Sequence, residues 1–154
     1  MKKESPINRL SNPVVIIQNL QKKVRLSPAL IKKIVAIAYV QDRCRKSGEI
    51  VISLVDDKKI TQLNKKYLKQ NRPTDVLAFD LSENKDRLWA EIIISTDTAV
   101  RNAAIFDTSP CYESYLYVAH GVLHILGLDD LTSTQAAIMQ KKADRIVSKL
   151  YVNR

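Results

Sequence analysis

Glycine is scarce in this chain: Gly48, Gly121 and Gly127 are the only three in 154 residues. That scarcity excludes the phosphate cradles of P-loop and dinucleotide-binding proteins, whose turns need several glycines close together. Cysteine is scarcer still. Cys44 and Cys111 lack the Cys-x-x-Cys spacing of a zinc or redox pair and are too few for a disulfide framework, so both read as packing residues. Apolar runs such as Val14 to Ile17 break within about six residues, far below the roughly 18 needed to span a bilayer, so no membrane partner is expected. Lys2 and Lys3 are not followed by an apolar run ending in a cleavage site, which makes the cytoplasm the expected location. Aromatic residues are only 6% of the chain and form no stacking motif, the pattern of a surface that follows a polymer backbone rather than reading bases.

What the chain does have is positive charge. Its 25 Lys and Arg face 16 Asp and Glu, a net charge of +9. The excess is uneven: residues 1 to 75 hold 17 basic and 6 acidic side chains, residues 76 to 154 hold 8 and 10. A half carrying +11 attracts a polyanion, either nucleic acid or an anionic membrane, unless it is merely a soluble basic surface. With 45% hydrophobic residues, the length suits one domain over residues 1–154 around a single core.

Periodicity assigns the elements. Val14 to Asn19 is short and β-branched, a strand. Ser27-Pro28 opens a helix through Arg45 with Leu30, Ile34, Ile37 and Ala38 on one face, and Gly48 closes that unit. Glu49 to Val55 reads as a strand, followed by a helix capped by Asp56 or Asp57 on which Ile60, Leu63, Asn64 and Tyr67 recur. The connector from Lys69 to Thr74 leads into a strand from Asp75 to Leu81, a hairpin loop from Ser82 to Arg87 and a strand from Leu88 to Ser95. A helix from Thr96 to Phe106 follows, then a helix from Tyr112 to Leu126 that is apolar nearly all round and stopped by Gly127. Thr132-x-x-Gln135 is a capping box opening a last helix to Tyr151. The order β-α-β-α-β-β-α-α-α predicts an α+β (mixed α/β) layer domain, a four-stranded sheet covered by helices.

The two histidines of the chain, His120 and His124, lie four apart on that central helix. At 3.6 residues per turn they share a face, close enough to share an ion. Gly127 lets the chain turn back, and Asp129-Asp130 then offers a third ligand. Two imidazoles and a carboxylate suit one divalent ion, Zn²⁺ by preference, with a coordination position open to water. The competing reading is a pair of core histidines beside loop aspartates. In the His-Glu-x-x-His proteases a glutamate follows the first histidine, whereas here Gly121 does, which disfavours peptide hydrolysis and lets a bulky substrate approach the ion.

The segment from His120 to Asp130, His-Gly-Val-Leu-His-Ile-Leu-Gly-Leu-Asp-Asp, resembles the His-Gly-x-Leu-His-Leu-x-Gly-Tyr-Asp-His signature of the YbeY endoribonuclease family. Arg72 to Phe79 resembles the family's Pro-Thr-Asp-Val-Leu-Ser-Phe block, Ala90 to Ile94 its Gly-Asp-Ile-x-Ile strand, and Leu63-Asn64-x-x-Tyr67 the helix before the second block. The resemblance covers residues 14 to 150. It implies a zinc-dependent, single-strand-specific endoribonuclease acting at the 3′ end of 16S ribosomal RNA and in ribosome quality control. Its partners would be single-stranded or ribosomal RNA and the ribosome or its subunits, with no DNA expected. The metal ligands carry over to His120 and His124, while the third histidine falls on Asp130, and Asp129 matches the family's own aspartate. The arginine that follows the family's aromatic residue is Leu68 here, so Arg72 or Lys69 is the RNA-binding candidate that would replace it; no catalytic residue is assigned. A ribosome-associated assembly factor with a structural or degenerate metal site is the alternative, with Leu68 and Asp130 as its signs.

Overall fold

The computed structural model describes residues 12–152. Lys2 and Lys3, on which the expectation about secretion rests, lie outside them. Nine elements follow one another: β1 (Val14–Asn19), α1 (Pro28–Gln41), β2 (Ser47–Val55), α2 (Asp57–Leu68), β3 (Val76–Asp80), β4 (Arg87–Ser95), α3 (Thr96–Phe106), α4 (Pro110–Ile125) and α5 (Ser133–Leu150). The sheet order is β1-β2-β4-β3. β1, β2 and β4 run parallel, with Ile16 opposite Val51 and Ile52 opposite Ile92, whereas β3 returns antiparallel along β4 with Ala78 opposite Ile92. The parallel pairs need helical crossovers and α1 and α2 supply chain for them, while the antiparallel pair needs only the polar loop after Asp80. The mixed α+β architecture expected from the sequence is therefore the one observed.

Alternation along the strands separates the two faces of the sheet. Ile50, Ile52 and Leu54 of β2 with Ala90, Ile92 and Ile94 of β4 form one buried core with α1, α4 and α5. On the other face, Val55, Leu77 and Ile93 meet Ile60 of α2, with Leu63 and Phe79 partly buried against them. Tyr67 is half exposed and lies against the Phe79 ring at 5.3 Å between centroids. α4 is buried continuously from Tyr112 to Ala119. It is the layer between the sheet on one side and α1 and α5 on the other.

Most boundaries shift by one or two residues from the sequence expectation, and two differences have a clear structural cause. α1 stops at Gln41 rather than Arg45, because Arg43 takes the left-handed conformation and the Cys44 N–H returns to the Tyr39 carbonyl at 3.0 Å. That hydrogen bond closes the helix end and turns the Cys44 side chain onto the core. Gly48 lies inside β2 rather than ending the helical unit: a Cβ there would stand 1.8 Å from the Leu88 carbonyl oxygen, at a φ of +151°. The neighbouring strand thus requires glycine at this position. Cys111, like Cys44, packs partly buried against the core, and both thiols are free.

The first turns of α2 and α3 are locked together. Asp57 accepts from the Ser95 and Thr98 hydroxyls at 2.7 and 2.8 Å and pairs with Arg101, while its N–H donates to Asp97 at 2.9 Å. Burial raises the Asp57 carboxyl, but the bonds from Arg101, Ser95 and Thr98 outweigh it and hold the group below the usual carboxylate range.

Candidate active site

α4 begins behind Ser109, whose hydroxyl caps the Tyr112 N–H at 3.1 Å with Pro110 in the first turn. At its far end Gly127 takes a φ of +106° with open space around it, so conformation rather than crowding calls for glycine. The Gly127 N–H donates to the His124 carbonyl and the Leu128 N–H to the Leu123 carbonyl, both at 3.0 Å. This closure reverses the chain, and the loop that follows carries Asp130 back toward the helix it has just left.

A cavity of about 540 Å³ opens at this corner. His120, Gly121 and His124 of α4 line it, with Asp130 from the loop, residues Thr74 to Phe79, and Leu68 at the end of α2. The sheet edge and the histidine helix meet because Val76 and Ala78 turn toward α4, so the chain's two distant motifs share one wall. Asp129 does not line the cavity, which favours Asp130 as the carboxylate of the predicted set.

His120 is part buried and His124 exposed. Burial lowers the His120 imidazole, and the charges of Asp75, Asp144 and Asp130 with a hydrogen bond donated to Gln140 only partly reverse it. The ring is therefore neutral at neutral pH, the form that carries a lone pair for a metal. Among the described residues no three His, Cys, Asp or Glu side chains already stand in ligating reach of one another, so a three-ligand site requires side chains of this set to adjust around the ion. The donor chemistry nevertheless fits a zinc-type ion: two imidazoles one helical turn apart and an exposed carboxylate on the same cavity.

The remaining sequence candidates are placed as follows. Leu68 lines the cavity and is 51% exposed, whereas Lys69 and Arg72 do not line it. Lys69 caps α2 in the left-handed conformation, and the Arg72 guanidinium holds Gln70 Oε1 at 3.0 to 3.2 Å. The Arg72 carbonyl accepts from the buried Asn64 amide at 2.9 Å, which pins the connector to α2. Lys65, Lys66, Lys69 and Arg72 are all exposed and cluster at the end of α2 nearest the cavity. Lys23 is less available, since it pairs with Asp97 at 2.6 Å.

Sequence reasoning missed one wall. Ala136, Met139 and Gln140 of α5 line the cavity, and the clue was their spacing of three and four on the stripe that continues to Ala143, the buried face of that helix. It also misjudged Gly121. Its Cβ position points at Ile92 and Val76, so α4 needs glycine there to approach the sheet, whatever it also allows a substrate to do.

A family model described as Endoribonuclease YbeY matches residues 16–151. The Endoribonuclease YbeY of Carboxydothermus hydrogenoformans is 34% identical over 140 residues, covering 90% of this chain and 98% of that one. That of Syntrophus aciditrophicus is 36% identical over 145 residues, covering 89% of both. The solution structure of TM1509 from Thermotoga maritima is similar with a TM-score of 0.62 and 26% identity, over 88% of this chain and 90% of that one.

Proposed function

Because the chain belongs to the YbeY endoribonuclease family, we propose that it is a zinc-dependent, single-strand-specific endoribonuclease of the cytoplasm, acting on ribosomal RNA at the 3′ end of 16S RNA and in ribosome quality control. One observation carries the reading. A single cavity is walled by both histidines, by Asp130 and by the segment from Thr74 to Phe79, so motifs some fifty residues apart build one place for chemistry.

His120, His124 and Asp130 would hold the ion, which when bound polarises a phosphodiester oxygen and makes an attacking hydroxyl more acidic. The chain supplies the rest. Burial keeps His120 neutral and ready to ligate. Gly121 lets α4 lie directly against Ile92 and Val76, which sets both histidines beside the sheet edge that walls the cavity. Lys65, Lys66, Lys69 and Arg72 flank the entrance and steer the polyanion by counterion release, an attraction that weakens steeply with salt. Asp75 presents a carboxyl anchored through Oδ1 by the Val76 N–H at 2.8 Å and the Thr74 hydroxyl at 3.2 Å.

The test is metal content and RNA cleavage on protein purified without a histidine tag. Near-stoichiometric zinc is expected, with cleavage of single-stranded RNA lost on chelation and restored by zinc. Failure to take up metal would sink the site. A 2′,3′-cyclic phosphate among the products would identify the ribose hydroxyl as nucleophile, and its absence would point to water. A second reading, an assembly factor whose site no longer cleaves, is favoured by one feature: an apolar Leu68 stands in the cavity wall where charge stabilisation is wanted. Leu68→Arg is expected to raise cleavage about tenfold or more by adding a cation near the developing charge. If wild type binds both zinc and ribosomal RNA but neither protein cuts, the assembly reading replaces the enzymatic one.

A further inference from the structure

Beside the cleft lies a second cavity, of about 530 Å³, that shares Asp75, His120 and Gln140 with it. Glu113, Tyr117 and His120 recur at spacings of four and three, so they form one stripe along α4 that runs from the second cavity into the first. Among the described residues no Lys or Arg lines this second space, so a phosphate finds no partner there. An uncharged group able to donate hydrogen bonds does.

The polar atoms are held in a defined order. Glu113 is 4% exposed, and one of its carboxyl oxygens takes the Thr108 hydroxyl at 2.6 Å, which fixes the plane of the group. The Tyr117 oxygen accepts from the Asn102 amide at 2.7 Å. Burial pushes the Tyr117 phenol far above its ordinary range, so it keeps its own proton and remains a donor. Both Asp144 oxygens are occupied, by the Tyr112 hydroxyl at 2.5 Å and the Gln140 amide at 3.2 Å, so Asp144 positions its neighbours. Phe106, 64% exposed, adds a flat apolar face.

We propose that this cavity receives the base of a nucleotide next to the scissile phosphate and selects guanine, with the Tyr117 hydroxyl donating to O6, Glu113 accepting from N1–H and the 2-amino group, and Phe106 stacking on the ring. Guanine alone among the four bases presents an acceptor followed by two donors along its pairing edge. Adenine and cytosine begin with a donor, and uracil ends with an acceptor. The cavity therefore adds one read position to a substrate otherwise gripped by its backbone. The proposal rests on the RNA-cleaving reading above.

The experiment measures binding, by fluorescence anisotropy, of short single-stranded RNAs that carry guanine, inosine or adenine at successive positions. At one position guanine is expected to bind about tenfold more tightly than inosine, which lacks the 2-amino group. Glu113→Gln should bring that ratio to within about twofold, the loss of one bidentate contact, while Phe106→Ala weakens guanine and inosine alike and keeps the ratio. Should Glu113→Gln not fold, Tyr117→Phe reads the same cavity through a reduced guanine-over-adenine preference. RNA bound with equal affinity whatever the base, or a guanine preference that survives in folded Glu113→Gln, overturns this inference and leaves the proposed function standing. No RNA binding even at low salt overturns the proposed function itself.

Discussion

His124→Ala is expected to reduce cleavage of single-stranded RNA by at least about a hundredfold and to change the melting temperature by no more than about 2 °C. The two halves of that expectation have different origins. A Lewis-acidic ion contributes several kcal/mol to the transition state of phosphoryl chemistry, and several kcal/mol is two or more powers of ten in rate. Losing one of two imidazoles on a cavity whose third donor is an exposed loop aspartate leaves too few ligands to keep that ion. Stability, by contrast, has little to lose: His124 is exposed in the last turn of α4 and belongs to no hydrophobic core cluster. His120→Ala makes the instructive comparison. That ring is part buried in the cavity wall, so its removal costs stability as well as activity. Zinc content, cleavage rate and a thermal melt on both variants check this, and wild-type cleavage by metal-free His124→Ala would refute the site.

Gly121→Ala is expected to destabilise the protein by about 1–3 kcal/mol, although alanine is the better helix former by about 1 kcal/mol in an exposed helix. Geometry reverses the sign. A Cβ at this position would lie 2.6 Å from Cγ2 of Ile92 and 3.3 Å from both Ile92 Cδ1 and Val76 Cγ2. Ile92 is fully buried, and its Cγ2 branches directly from Cβ, so it has no flexible end to swing aside. α4 must move off the sheet, and it carries both histidines. Activity should therefore fall further than stability explains, since a displacement of about 1 Å at a reacting centre can cost a hundredfold. Ile92→Ala alone should cost about 2–5 kcal/mol. The double variant should cost less than the two together, because each change makes room for the other. Thermal melts across the four proteins decide it, and a Gly121→Ala protein as stable as wild type would show that α4 adjusts freely.

Much of the fold was legible from the chain alone, for local reasons. Ser27-Pro28, Asp56 and the Thr132-x-x-Gln135 box start helices where they stand, since each cap is satisfied within three residues. The four-residue spacing of His120 and His124 placed them on one face for the same reason. Less legible were positions whose role comes from a neighbour distant in sequence. Gly48 reads as a helix terminator until Leu88 is seen pressed against it, and Gly121 as a substrate opening until Ile92 is seen beneath it. Gln140 and Met139 belong to the cavity only because α5 packs back along α4.

Charge shows the same division. The sequence by itself determined that the basic excess falls in residues 1 to 75 and the paired histidines in the other half. Only the tertiary structure decided which cations matter. Folding engages Lys23 with Asp97 and leaves Lys65, Lys66, Lys69 and Arg72 exposed at the end of α2 whose Leu68 lines the cavity. It also sets the carboxyl of Glu113 and the hydroxyl of Tyr117 beside His120 in a cavity that no Lys or Arg among the described residues lines. Composition and helical spacing act within a few residues, so the chain states them directly. The shape and sign of a cavity depend on which elements the buried core brings together, and that is settled by packing across the sheet.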